Sequence, residues 1–138
     1  MNGNDVTLSE YKGLEILDFP CNQFANQAPG SNEEIHDFCT IKFGTEFPQF
    51  DKIDVNGDNA DPLFVFLATE KPFEGFGKGL KNMALAKFAA ANNKVFGDKA
   101  YIGWNFTKFL VDREGMVIAR FEPTVDMDDV KKAVAAAL

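Results

Sequence analysis

Two thiols and a cluster of side-chain amides are the groups in this chain whose types could do chemistry. Cys21 opens the run Cys-Asn-Gln-Phe-Ala-Asn-Gln at residues 21–27, which brings one thiol and the amides of Asn22, Gln23, Asn26 and Gln27 into one short stretch. Cys39 is the other cysteine, and Trp104-Asn105 places the only tryptophan beside a further amide. Two cysteines are too few for a disulfide scaffold, so in a reducing compartment they are buried small side chains or working thiols. For Cys21 the choice is between a structural thiol and a nucleophile. Read alone, Gln27 and Asn105 are turn amides, Trp104 is a packing residue, and Cys39 is a helix residue buried beside Phe38. His36, the only histidine, has no carboxylate or cysteine spaced to share a metal with it and reads as a solvated surface residue.

The elements that must position these groups follow from local chemistry. Residues 14–19, LEILDF, read as a short strand that Pro20 ends, since proline has no N–H for the ladder. Cys21 and its amides then fall just past a strand end, where ligands gather in open α/β sheets. Ser31-Asn32-Glu33-Glu34 is a capping box, and the helix it opens carries Ile35, Phe38 and Cys39 on one face with Gly44 as its stop. Residues 47–53 lead, in no assigned conformation, to an Asn56-Gly57-Asp58 turn. Asp61-Pro62 caps a short helix that Pro72 closes, and residues 78–92 form a second with Leu80, Met83, Ala84 and Phe88 at helical spacing. Residues 106–111 and 116–121 flank Asp112-Arg113-Glu114-Gly115 as a β-hairpin. Thr124 is the expected cap of a terminal helix with Met127, Val130, Val134 and Leu138 as its buried stripe. At the start, Val6 and Leu8 alternate as a short edge strand.

A chain of 138 residues that is 46% hydrophobic, with 15 Phe, fits one globular domain. A net charge of −7 with no basic cluster argues against nucleic acid or an anionic membrane as partner. No apolar run approaches the ~18 residues of a membrane span and no signal pattern opens the chain, so the expectation is a cytoplasmic protein.

Several ordered blocks resemble one family. Leu17-Asp18-Phe19-Pro20-Cys21-Asn22-Gln23-Phe24 is similar to the signature of the glutathione peroxidases. Pro29-Gly30-Ser31-Asn32-Glu33-Glu34-Ile35, Lys52-Ile53-Asp54-Val55-Asn56-Gly57 and Gly103-Trp104-Asn105-Phe106-Thr107-Lys108-Phe109-Leu110 resemble later family segments, and residues 5–13, DVTLSEYKG, its opening. The resemblance implies a single α/β domain over residues 1–138 with a thioredoxin-like fold. It also implies a gap. Between Gly13 and Leu14 the family carries an apolar strand and the helix after it, so this fold is incomplete, lacking one central strand and the following helix. The Tyr11-Lys12-Gly13-Leu14 join is what a deletion between two similar Lys-Gly stretches, or a misassembled coding sequence, would leave.

By the same resemblance, Gln27, Trp104 and Asn105 stand at three of the four catalytic tetrad positions, and Cys39 matches the resolving cysteine of the thioredoxin-dependent branch. The fourth position, the peroxidatic cysteine or selenocysteine, belongs to the absent segment. Peroxide reduction needs a thiolate that attacks one oxygen while the other leaves, with neutral N–H donors nearby to hold both. The implied substrates are hydrogen peroxide and organic hydroperoxides, the implied reductant thioredoxin rather than glutathione, and no cofactor or metal is called for. Two function classes stay open: a thiol peroxidase that is inactive or impaired here, and a non-catalytic remnant that acts by binding or not at all. Loss of the central strand also predicts that Phe19, Phe106, Phe109 and Leu110 lose neighbours, and that the chain self-associates through its incomplete sheet.

Overall fold

The computed structural model describes residues 13–138; the expected edge strand at Val6 and Leu8, and Tyr11-Lys12 of the join, lie outside the described residues. The chain divides into two units, one running to Ile53 and one of Asp54–Leu138.

In the first unit, residues 17–20 and 48–53 run side by side in parallel. Asp18 N–H donates to Pro48 O at 3.1 Å, Phe50 N–H to Asp18 O at 2.8 Å, and Ile53 N–H to Pro20 O at 2.9 Å. The strand expected over residues 14–19 is reduced to a single bridge between Asp18 and Gln49, and Leu14 and Ile16 are each 53% exposed. The physical reason is a shortage of donors: Pro48 and Pro20 each lack an N–H, and a strand with only this short pairing among the described residues gains too little to stay regular. Phe19 compensates by stacking on Phe50, centroids 4.7 Å apart. Cys21 and Phe24 are buried.

Helix α1, Asn32–Phe43, forms as its caps dictate. Glu34 N–H donates to the Ser31 hydroxyl at 3.2 Å, the Glu34 carboxylate accepts from Ser31 N–H at 2.7 Å, and Gly44 closes the helix in the left-handed region at φ +63°. Its apolar face, however, is not buried: Ile35 and Cys39 are half-buried and Phe38 is 56% exposed, turned against Phe43 instead.

The second unit holds α2, Pro62–Glu70, and α3, Leu80–Phe96. A single turn at Gly97–Lys99, the strands β1, Lys108–Val111, and β2, Val117–Phe121, and helix α4, Met127–Ala137, complete it. Asp61 caps α2 through Leu63 N–H, with Pro62 in the first turn where its missing N–H costs nothing. β1 and β2 pair antiparallel around the expected turn, with a bulge between Leu110 and Val111. In that turn the Asp112 carboxylate accepts from Glu114 and Met116 N–H, and Gly115 takes φ +84°, a conformation side chains disfavour. Among the described residues the sheet has these two strands alone.

Helix α4 starts later than expected. Asp126, not Thr124, caps it through Asp128 N–H at 2.8 Å, because the Thr124 hydroxyl is committed to Phe76 O at 3.0 Å. Of its expected stripe only Val130 is buried, while Met127 and Leu138 are exposed.

The core of this unit gathers Val55, Leu67, Ala68, Phe76, Ala89, Ile102, Val117 and Val130. Its polar centre is Arg120, whose side chain is 6% exposed. Nε donates to Glu122 Oε1 at 2.5 Å, and the two Nη groups donate to Lys71 O and Tyr101 O, each at 3.1 Å. The guanidinium lies over the rings of Phe73 and Phe109. Burial pushes its pKa down from the usual value, and the Glu122 carboxylate acts against that shift. Phe109 also meets Phe64 edge-on, so of the residues expected to lose neighbours it is Phe106, 79% exposed, that is left uncovered.

Candidate functional site

In the first unit the loop after the proline is built by side-chain amides. Ala25 and Asn26 both take φ near +50°, at 52° and 53°. Such a left-handed pair is uncommon outside glycine and needs outside support. Asn22 supplies it: its Nδ2 donates to Asn26 Oδ1 at 2.5 Å and its Oδ1 accepts from Ala28 N–H at 2.9 Å. Gln27 follows in an exposed position, its N–H donating to Phe24 O at 3.2 Å. The Cys21 thiol is buried beneath the loop, 3.6 Å from Gln23 Oε1 and 3.5 Å from Gln23 N, an arrangement in which it serves as a packed, hydrogen-bonded core group. Both cysteines are free thiols. His36 is exposed on α1, its Nδ1 3.0 Å from Gln49 Oε1, and Gln49 Nε2 donates onward to Asp18 at 2.8 Å.

Lys52 ties the far end of the same loop. Its ammonium donates to Gly30 O at 2.5 Å and to Ala28 O at 3.0 Å, while its own N–H is held by Asn32 Oδ1 at 2.9 Å. Lys52→Met keeps the length and apolar stem of the side chain but removes both donors. We expect it to cost on the order of 2 kcal/mol, since hydrogen bonds to a charged group are the stronger kind, and to speed amide exchange over residues 28–30. A denaturation midpoint unchanged from the parent chain would show that solvent replaces these bonds.

In the second unit Trp104 and Asn105 sit in a turn ahead of β1. The approach to that turn is fixed at two successive residues. Asn56 Oδ1 accepts from Ile102 N–H at 2.8 Å and Asn56 Nδ2 donates to Ile102 O at 3.0 Å. Gly103 O accepts from Asn92 Nδ2 at 3.1 Å, and a Cβ on Gly103 would come within 3.0–3.1 Å of the Phe76 and Phe73 rings, which would have to give way by a few tenths of an ångström. The indole of Trp104 then stacks, tilted, on Phe88 of α3 at 4.6 Å, and its carbonyl lies 2.9 Å from the Thr107 hydroxyl. That hydroxyl is also 3.1 Å from Glu122 Oε2, which links the turn to the Arg120 centre. Phe106 closes the turn at φ +63° with its ring in solvent, and its carbonyl accepts from Lys108 Nζ at 2.7 Å. Partial burial pushes the Lys108 ammonium below its usual pKa.

The expected site residues thus fall in two places. Trp104 and Asn105 are adjacent in one turn of the second unit, while Gln27 and Cys39 belong to the first, one in an exposed loop and one half-buried on α1. Residues 54–138 contain no cysteine, so the Trp104–Asn105 turn has no thiol within its own unit. A cleft of ≈ 610 Å³ in the second unit is lined by Lys71, Phe76, Asn82, Arg120, Glu122 and Thr124 among others, and neither Trp104 nor Asn105 lines it. Among the described residues no group of three or more His, Cys, Asp or Glu is placed to hold a metal ion. Sequence reasoning missed Lys52, Asn56, Asn92 and the Arg120–Glu122 pair; only the last left a signal, two opposite charges flanking Phe121 in an otherwise apolar run.

Comparison with known proteins agrees on one group. The family model described as glutathione peroxidase matches residues 5–68. A glutathione peroxidase homolog from Neisseria meningitidis is 49% identical over 127 residues, covering 92% of this chain and 70% of that protein. A protein from Mesembryanthemum crystallinum named "Probable phospholipid hydroperoxide glutathione peroxidase" is 46% identical over 123 residues, 89% of this chain and 59% of its own length. Among solved structures, the crystal structure of T. cruzi GPX1 is similar with a TM-score of 0.56 and 34% identity, over 89% of this chain; this chain spans only 59% of that one.

Proposed function

The chain belongs to the glutathione peroxidase family, with an incomplete thioredoxin-like α/β fold, and we propose that it is a thiol peroxidase by descent whose hydroperoxide chemistry is lost or severely impaired. Residues 1–138 are read as a single domain of that family from which one strand and the next helix are absent between Gly13 and Leu14. The observation that carries this reading is the state of the two thiols. Cys21 is buried and engaged with Gln23, and Cys39 is the candidate resolving thiol, which leaves no cysteine at the nucleophile's position.

In the reaction of the family, a thiolate attacks one peroxide oxygen, the O–O bond breaks, and the second oxygen leaves as hydroxide or alcohol, so sulfur becomes a sulfenic acid. A resolving thiol then displaces water from that sulfur to form a disulfide, which a dithiol such as thioredoxin, or glutathione, returns to thiols. Gln27, Trp104 and Asn105 are read as the donors that would hold the thiolate and the leaving oxygen. Hydrogen peroxide or organic hydroperoxides are the implied substrates, lipid hydroperoxides among them in view of the plant relative's name. The reducing cytoplasm is the setting in which both cysteines stay reduced, and no helix among the described residues is long and apolar enough to cross a membrane. The test is peroxide-dependent oxidation of reduced thioredoxin and of glutathione by this chain, beside the same chain carrying a family segment inserted after Gly13; equal turnover by the two would overturn the proposal.

A second reading, a non-catalytic chain that acts by association, is favoured by the apolar surface. Phe38, Ile41 and Phe43 of α1, and Leu80, Met83 and Val95 of α3, are exposed by 56–87%. Exposed apolar side chains grouped on one helix are the kind of surface that another chain can cover. Sedimentation velocity is expected to show concentration-dependent association, with binding of a hydrophobic dye; a monodisperse monomer that binds no dye would remove this reading.

A further inference from the structure

We infer that Asn56 is the positioning residue of the Trp104–Asn105 turn: by holding Ile102 it sets where the indole and the amide stand. The inference rests on the reading of that turn as a peroxidase donor site for its meaning, but its geometry stands alone. Asn56 is 1% exposed, and its primary amide pairs with both ends of a single residue, accepting from Ile102 N–H and donating to Ile102 O. One side chain thereby supplies what a neighbouring strand would supply, a donor and an acceptor side by side at a backbone that has no ladder of its own. The next residue of the turn-forming pair adds a third tie, Gly57 N–H to Lys99 O at 2.9 Å. Gly57 holds φ +85° with Phe96 already 3.0 Å from where a Cβ would stand, so the tie depends on glycine there.

The consequence is directional. With Ile102 clamped and Gly103 confined by Phe73, Phe76 and Asn92, the chain leaves this point in one direction, and Trp104 meets the face of Phe88. Aspartate has the shape of asparagine but cannot donate when ionised. Asn56→Asp would therefore keep volume and the bond to Ile102 N–H while setting a carboxylate oxygen against Ile102 O, which loses its donor.

Because Trp104 is the only tryptophan, its fluorescence reads the turn directly. In Asn56→Asp the emission should shift to the red and become more open to acrylamide quenching, at temperatures where far-UV circular dichroism is unchanged. The protection of the Ile102 amide should fall by about 10- to 100-fold, the factor that leaving a buried partner unpaired carries. Val130→Ala, a core truncation in α4, is the control for destabilisation alone. If Asn56→Asp lowers the melting temperature as that control does but leaves native Trp104 emission and quenching as they were, Asn56 is merely a stabilising residue and the inference falls. Should Asn56→Asp fail to fold, hydrogen exchange on the unaltered chain decides: slow exchange at Ile102 supports the clamp, and exchange as fast as an exposed loop overturns it. None of these readouts depends on turnover, so the inference and the peroxidase proposal fail separately.

Discussion

Glu122→Ala is expected to lower the melting temperature by on the order of 10–20 °C. The reason is what it leaves behind. Arg120 stays charged and almost wholly buried, its Nη groups already spent on Lys71 O and Tyr101 O, with Nε facing a cavity. Removing one partner of a buried pair costs about 3–5 kcal/mol, against a total stability of about 5–15 kcal/mol for a whole domain. The Thr107 hydroxyl loses a partner as well, so the turn that carries Trp104 should loosen together with the core. Glu122→Gln, which keeps an acceptor but not the charge, should fall between. Removing both charges with Arg120→Met and Glu122→Ala would not return full stability, because two backbone carbonyls would then stand unpaired. A thermal melt of the three variants checks this; a Glu122→Ala chain within about 1 kcal/mol of the parent, the range of a surface pair, would mean that water reaches the guanidinium.

Turnover should differ far more than stability does. Removing an enzyme's nucleophile lowers kcat by on the order of a millionfold where the remaining groups act with it as a unit. Gln27, Trp104 and Asn105, in the role proposed for them, are such groups: neutral donors with no electron pair able to form a bond to peroxide oxygen. The chain as it stands should therefore oxidise thioredoxin no faster than peroxide does unaided. Insertion of a family strand-and-helix segment after Gly13 should bring back activity, and replacing the inserted cysteine by serine should abolish it again. If the unaltered chain shows turnover that Cys21→Ser removes, the buried thiol is the nucleophile and the proposal is wrong; Cys39→Ser is the companion control.

What could be read from the residues was whatever local chemistry decides. Ser31 and Glu34 cap the helix they were expected to cap, Gly44 ends it, Asp61-Pro62 starts the next, and Asp112 to Gly115 turn the hairpin, because in each the partners lie within a few residues. The misreadings share one cause, a partner far away in the chain. Thr124 looks like a helix cap until Phe76 O claims its hydroxyl. Residues 14–19 look like a strand, yet pairing depends on a neighbour, and the one seen among the described residues begins with a proline. Asn56 looked like a turn former, and its turn is indeed there, but its main work is at Ile102, 46 positions on. Lys52 was one letter of a matching block before Ala28 and Gly30 gave its charge a task. The site residues were named by family likeness alone, since nothing in a lone glutamine or tryptophan announces a peroxide.

Helix α1 has both ends closed, by the Ser31–Glu34 box and by Gly44, yet has no fully buried side chain. Caps contribute about 1 kcal/mol each, and a short helix whose apolar face is no more than half-buried is only weakly stabilised in water. Its opening free energy should therefore lie well below that of the whole unit, so that its amides exchange through local unwinding and not through global unfolding. A thiol carried on such a helix is not held at a fixed address. Each unwinding would free Cys39 to sweep a radius set by the slack of residues 32–43, so its encounter rate with another sulfur would be governed by the lifetime of the helix, a kinetic quantity that no distance in the folded state expresses.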